Sequence, residues 1–314
     1  MKWPFLSMAR RLERLAPPAR FPVDMVLDTD TYNEVDDQFA LCYSLLSPDR
    51  VKLQAVYAAP YLNNRSVSPE DGMLKSYDEI VRLLGKAGAQ ADGLVFRGSR
   101  SYLKDENTPV ESDAARDLIA RAMARPDDKP LYVAAIACIT DVASALLMEP
   151  ELVNKIVVVW LAGHEFSWPD TREFNMMQDN AASRIVLDSG VPLVLVPCMG
   201  VASHMLSTVY ELDACIGGKN ALCDALCELF KAYSGDHYGW AKEIWDISAV
   251  AWVMHPEWAP TELVPAPWLS TADRYSFDNS RHLIRVVRRL DRTQIFRDMF
   301  TRLSDAENII KTMH

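Results

Sequence analysis

Apolar residues along the chain come in short runs, each followed by a longer stretch in which apolar and polar positions recur with helical spacing. The runs at Val23 to Leu27, Val51 to Ala58, Leu131 to Ala137, Lys155 to Leu161 and Pro192 to Val196 predict strands. The stretches from about Asp37 to Leu46, Leu74 to Leu84, Thr140 to Met148 and Asn180 to Asp188 predict helices. Further on, HLIRVVRRLDRTQIFRDMFTRL predicts a strand and then an amphipathic helix whose arginines form a solvated face. Near the amino terminus, ARRLERLAPPARFP predicts a short helix ended by Pro17 and Pro18. This strand-then-helix rhythm implies an α/β fold, with a mostly parallel central sheet flanked by helices on both faces.

Composition narrows the picture. With 49% hydrophobic residues over 314 positions the chain can bury a large core, and no linker or repeat divides it. Residues 1–314 are therefore expected to form one domain, with 1–20 as an amino-terminal extension. The net charge of −10, with basic residues dispersed, excludes a nucleic-acid partner, which requires a concentrated cationic face. No run approaches the roughly 20 apolar residues of a membrane span. Arg10, Arg11 and Arg14 interrupt any signal-like apolar stretch, so a cytoplasmic location is expected, with no membrane partner. Six cysteines without zinc spacing read as reduced core thiols, which fits that location.

The chemistry concentrates at LDTDTYNEVDD, residues 27–37. Asp28 and Asp30 follow a strand, and sites in α/β sheets form beyond the carboxyl ends of strands. Two apart, they are expected to point the same way, while Asp36 and Asp37 on a helix diverge by about 100°. Helix capping explains one acid of the second pair but not all four. Carboxylates crowded this closely repel unless a cation lies among them, and hard oxygen ligands suit Ca²⁺ or Mg²⁺. A DxD after a strand also fits a haloacid-dehalogenase-type phosphatase, with Asp28 as nucleophile and Asp30 as acid. That reading needs a later lysine and a second acidic pair, for which Asp127, Asp128 and Asp236 are poor candidates.

The longer string LDTDTYNEVDDQFAL resembles the amino-terminal signature of the inosine-uridine nucleoside hydrolase family, DxDxGxDDxxAL. It carries two extra residues between Asp30 and Asp36 and lacks the glycine. TREFNMMQDNAA (171–182) is similar to that family's EFN segment, and IWDISAVAWVMHPEW (244–258) to its carboxyl-terminal segment. AIACITDVASAL (135–146) resembles its central stretch, with the glycine and asparagine replaced. The four matches keep the family's order from about residue 25 to 260.

The resemblance implies an open Rossmann-like sheet and Ca²⁺-dependent hydrolysis of ribonucleosides to ribose and free base. It also implies a small-molecule nucleoside substrate and a homo-oligomer, dimer or tetramer. Carried over, the Ca²⁺ ligands are Asp30, Asp37, the carbonyl near Ile136, and Asp246, and Asp30 is the base that takes the proton from water. Asp36 would grip the ribose 2′- and 3′-hydroxyls, supplemented by Asn63. Glu173 and Asn175, two apart, are expected to face the sugar from an extended segment. Many relatives have a histidine before the carboxyl-terminal acid; here Trp245 stands there, able to stack on a base but not to protonate it. His164 and His237 are the candidate substitutes. Each residue has a plainer alternative: Asp246 as a helix cap, the Glu173 pair as solvated loop, the histidines and Trp245 as packing. A homologue that binds nucleosides or sugars without turnover is the third reading beside hydrolase and phosphatase.

Overall fold

Strands covered by helices on both faces carry no polar alternation, which is why the apolar runs are continuous. The computed structural model describes residues 3–313. Its main sheet comprises β1 (Val23–Thr29), β2 (Val51–Ala58), β3 (Val95–Arg97), β4 (Leu131–Ala135), β5 (Ile156–Leu161), β6 (Leu193–Val196), β7 (Thr261–Pro265) and β8 (Leu283–Val287). They lie in the order β3-β2-β1-β4-β5-β6-β8-β7. Neighbours are parallel except β7, which closes one edge antiparallel to β8.

The helices are α1 (Met8–Leu15), α2 (Val35–Leu45), α3 (Pro69–Ala87), α4 (Asp113–Met123), α5 (Thr140–Met148), α6 (Phe174–Gln178), α7 (Asn180–Ser189), α8 (Val209–Cys215), α9 (Ala221–Lys231), α10 (Ile247–Met254), α11 (Arg292–Ser304) and α12 (Ala306–Met313). Alternate residues of each strand feed two cores. Met25 and Leu27 pack with α2, α3, α9, α10 and α11, while Val26 packs with α4, α5 and α7. Hydrophobic patterning predicts no element between residues 85 and 130, yet that stretch holds β3 and α4. The helix expected at Leu74 to Leu84 starts earlier, at Pro69, because Ser68 caps it by accepting from Asp71 N, and it ends at Gly88, whose φ of 79° is left-handed.

The amino-terminal helix is bound into the fold. Buried Arg11 donates to Gly190 O (2.9 Å) and Leu283 O (3.4 Å), and buried Arg14 to Asn154 O (3.1 Å) and Asp127 O. Those carbonyls precede or begin β6, β8, β5 and β4, so α1 ties together the loops at the end of the sheet away from Asp30. All six cysteines are unpaired, and only Cys215 is exposed. No helix among the described residues is long and apolar enough to cross a membrane.

Candidate active site

β1 ends at Thr29, so the two-residue repeat of the strand does not continue to Asp30. Asp28 is sealed on the α4–α5 side of the sheet, where Asp141 is its charged neighbour and neither of its oxygens has a partner. Asp30 instead enters a turn closed by Asn33 N donating to Asp30 O at 2.6 Å, which carries its side chain into a cavity of about 250 Å³. The two acids expected to point together are thus divided. No residue of the turn has positive φ, so the longer connection folds without the glycine of the shorter signature.

α2 follows at Val35, and its first-turn acids go separate ways. Asp37 Oδ1 accepts from Thr29 Oγ1 and from Asp30 N (3.1 Å), and Thr31 Oγ1 backs Thr29 Oγ1 at 2.9 Å. Asp36 lies beside Lys242 and Glu34, and its buried Oδ1 has no partner. Asp246 stands at the cap position of α10 but makes no capping bond. Because α10 packs on α2, β4 and β5, its carboxylate is delivered to the same hollow. One oxygen from each of Asp36, Asp37 and Asp246 lies within 4.8 Å of the other two.

Burial raises the pKa of all four cavity aspartates, and their mutual repulsion adds to it for Asp30, Asp36 and Asp246. Asp37 is held lower, at about 6, because hydrogen bonds from Thr29 and Asp30 oppose its burial. Burial works against the charge of Lys242 too, yet neighbouring Asp36 and Glu34 push its pKa up. Lys242 forms an ion pair with Glu34, which itself lines the cavity. A buried nest of acids with an orphaned oxygen is a set of hard donors that suits a divalent cation.

The other expected residues fall in three groups. Ile136, His164, Glu173, Asn175 and Trp245 line the cavity with Asp30, Asp36, Asp37 and Asp246. Glu173 and Asn175 do not project from an extended segment, however. Glu173 caps α6, with Oε1 accepting from Asn175 N (2.9 Å) and Oε2 from Met176 N (3.0 Å) and Gly163 N (2.9 Å). Asn175 Nδ2 donates to Ile136 O (3.2 Å) and Leu161 O (3.0 Å), joining the ends of β4 and β5. Asn63 stands one residue behind the cavity, its Nδ2 donating to Asn33 Oδ1 at 2.6 Å. His237 lies outside, bonded to Lys231 O at 3.0 Å and tilted against Trp240. Asn33, Glu34, Arg172, Phe174, Cys198 and Met199 also line the cavity, and the sequence alone does not single them out. Only Asn33 and Glu34 carry a signal there, since they lie in the lengthened stretch between Asp30 and Asp36.

Known proteins give the same picture. A model of the family described as inosine-uridine preferring nucleoside hydrolase matches residues 25–297. The pyrimidine-specific ribonucleoside hydrolase RihA of Klebsiella pneumoniae is 29% identical over 257 residues, which is 74% of this chain and 80% of that protein. RihA of an Enterobacter species is 30% identical over 142 residues, which is 42% of this chain and 45% of that protein. Among solved structures, a purine-preferring ribonucleoside hydrolase from Gardnerella vaginalis superposes with a TM-score of 0.70 at 20% identity, covering 91% of this chain and 99% of that one. A match running from β1 into α11, over a cavity whose acids come from both of its ends, makes this chain a member of the inosine-uridine preferring nucleoside hydrolase family.

Proposed function

We propose that the protein hydrolyses the N-glycosidic bond of ribonucleosides in a Ca²⁺-dependent reaction, giving ribose and free base. The observation that carries this reading is the meeting of Asp30, Asp36, Asp37 and Asp246 in one buried cavity. Asp37 and Asp246, with Asp30 and the Ile136 carbonyl, would hold the ion; the orphaned oxygen of Asp36 and the all-oxygen donor set fit it. A divalent ion so held would supply Lewis acidity toward the attacking water. Asp30 takes that water's proton. Asp36 accepts hydrogen bonds from the 2′- and 3′-hydroxyls of ribose, and the ring of carboxylates favours positive charge developing on the sugar.

On the leaving-group side, Trp245 offers a stacking face. Burial keeps the His164 pKa below its usual value, so the ring is neutral at about pH 7. Met199 N donates to its Nδ1 at 3.4 Å, which holds the ring in the cavity wall. Glu173 and Asn175, which line the cavity, would meet the ribose hydroxyls from its wall. The phosphatase reading loses support because its nucleophile, Asp28, lies outside the cavity. The unpaired cysteines are in keeping with a cytoplasmic location, and family membership supports a homo-oligomer, dimer or tetramer. Incubation with a nucleoside panel, with and without chelator, tests the proposal by release of reducing sugar and base. Phosphate release from a generic ester without ribose release would overturn it, as would tight nucleoside binding with no product.

A further inference from the structure

We infer that Asn33, in the lengthened stretch between Asp30 and Asp36, is a positioning residue that orients the Asp30 carboxylate. The inference rests on the hydrolase reading above. Asn33 Nδ2 lies 3.4 Å from Asp30 Oδ1 and 3.3 Å from Oδ2, and among the described residues it is the only side-chain N–H donor to that carboxylate. Its amide orientation is fixed from behind. Asn63 Nδ2 donates to Asn33 Oδ1 (2.6 Å), and the amide of Asn63 is fixed in turn because its Oδ1 accepts from Arg65 N (2.8 Å). With Oδ1 occupied by a donor, Asn33 has to present its NH₂ to Asp30.

The loop that carries Asn33 is also held. Asn33 O accepts from Arg65 Nη1 (3.2 Å) and from Tyr233 OH (3.3 Å), and Arg65 donates to Tyr233 OH (2.8 Å) while lying over the Tyr32 ring. Next door, Glu34 pairs with Lys242. Segments following β2, ending α9 and preceding α10 therefore converge on one turn. A donor shared between both oxygens sets the plane of a carboxylate without occupying the lone pairs that face away from it. That arrangement leaves Asp30 free to accept a proton from the cavity side, in a conformer that does not have to be searched for at each turnover.

The test compares Asn33→Ala, Asn63→Ala and the double variant by steady-state kinetics, calcium calorimetry and crystallography. Loss of a hydrogen bond to a charged group predicts a kcat about 10- to 100-fold lower for Asn33→Ala, with KM within about threefold. Ca²⁺ affinity, to which Asp30 contributes as one ligand of several, should fall by clearly less than kcat, and crystals of Asn33→Ala should show Asp30 in a second rotamer with Asp37 and Asp246 unmoved. Asn63→Ala should lower kcat in the same direction but less, and the double variant should be no worse than Asn33→Ala, since Asn63 acts through Asn33. An unchanged kcat in either single variant overturns the inference. So does a loss confined to KM, which would make Asn33 a substrate contact, or a matching loss of Ca²⁺ affinity, which would make it a support of the metal site. Should the wild type hydrolyse no nucleoside, the hydrolase proposal fails by itself; an Asp30 rotamer unchanged in Asn33→Ala crystals sinks the positioning role whether or not the protein is active.

Discussion

Replacing Thr29 by valine removes one hydroxyl from the acid cluster. Thr29 is fully buried at the end of β1, and valine has its shape, so the change removes a hydroxyl without opening a hole. What is lost is the donor to Asp37 Oδ1 and the contact with Thr31 Oγ1; the backbone N–H of Asp30 still donates to Asp37. A hydrogen bond to a charged acceptor contributes roughly 1.5–3 kcal/mol, and each 1.4 kcal/mol is about a factor of ten in an equilibrium constant. The pKa of Asp37, about 6 with the hydroxyl in place, should therefore rise by roughly one to two pH units, in line with that energy. At about pH 7 the carboxyl then binds a proton that an incoming cation has to displace. Ca²⁺ affinity in calorimetric titration at about pH 7 should fall about two- to tenfold, with most of the loss recovered at about pH 8. Thr29→Ser, which keeps the hydroxyl, should bind near the wild-type level. Wild-type affinity in Thr29→Val would show that the hydroxyl does not tune Asp37, and the reasoning would fail.

Asp30→Asn should abolish turnover while nucleoside binding, read by equilibrium titration, survives; an active Asp30→Asn would remove the base assignment. Arg11→Met leaves the carbonyls of Gly190 and Leu283 without their donor and should cost about 1–3 kcal/mol in urea unfolding, with kcat below the transition unchanged because α1 lies at the far end of the sheet. His282 has its pKa lowered to about 3 by burial and by Arg11 and Arg281. Between that value and its unfolded value of about 6.5 the unfolded chain holds a proton that the folded chain lacks, so this residue costs stability as pH falls, by up to about 1.4 kcal/mol per pH unit. His282→Gln should lose less stability than wild type between about pH 7 and pH 5; parallel losses would show that the ring protonates freely in the fold.

Elements buried on both faces are legible in the sequence because an uninterrupted apolar run as short as β5, Ile156–Leu161, suits little besides a covered strand. β3 has only three residues and borrows its stability from β2, and α4 buries small side chains, Ala114, Ala115 and Ala122 beside Leu118, so neither stands out in the hydrophobic pattern. The acids of the site are visible as a local excess of charge and through the family signature. Their directions are not, because Asp28 and Asp30 separate only where β1 stops and a turn begins. Spacing suggests that Glu173 faces the sugar from an extended segment, but an acid ahead of free backbone N–H groups has a stronger local option as a cap. Asn33 and Lys242 depend on partners from distant segments, Asn63 and Glu34, which no window of sequence brings together.

The hollow draws Asp30 and Asp37 from the first crossover and Asp246 from a helix late in the chain. On the ribosome, most of the sheet can therefore assemble before α10 emerges, and until then the early acids lack the wall that turns them into a chelator. An ion bound there would be a seal on a finished architecture rather than a template for it. A nascent chain truncated before α10 should pass through the cell's calcium and magnesium without capturing either.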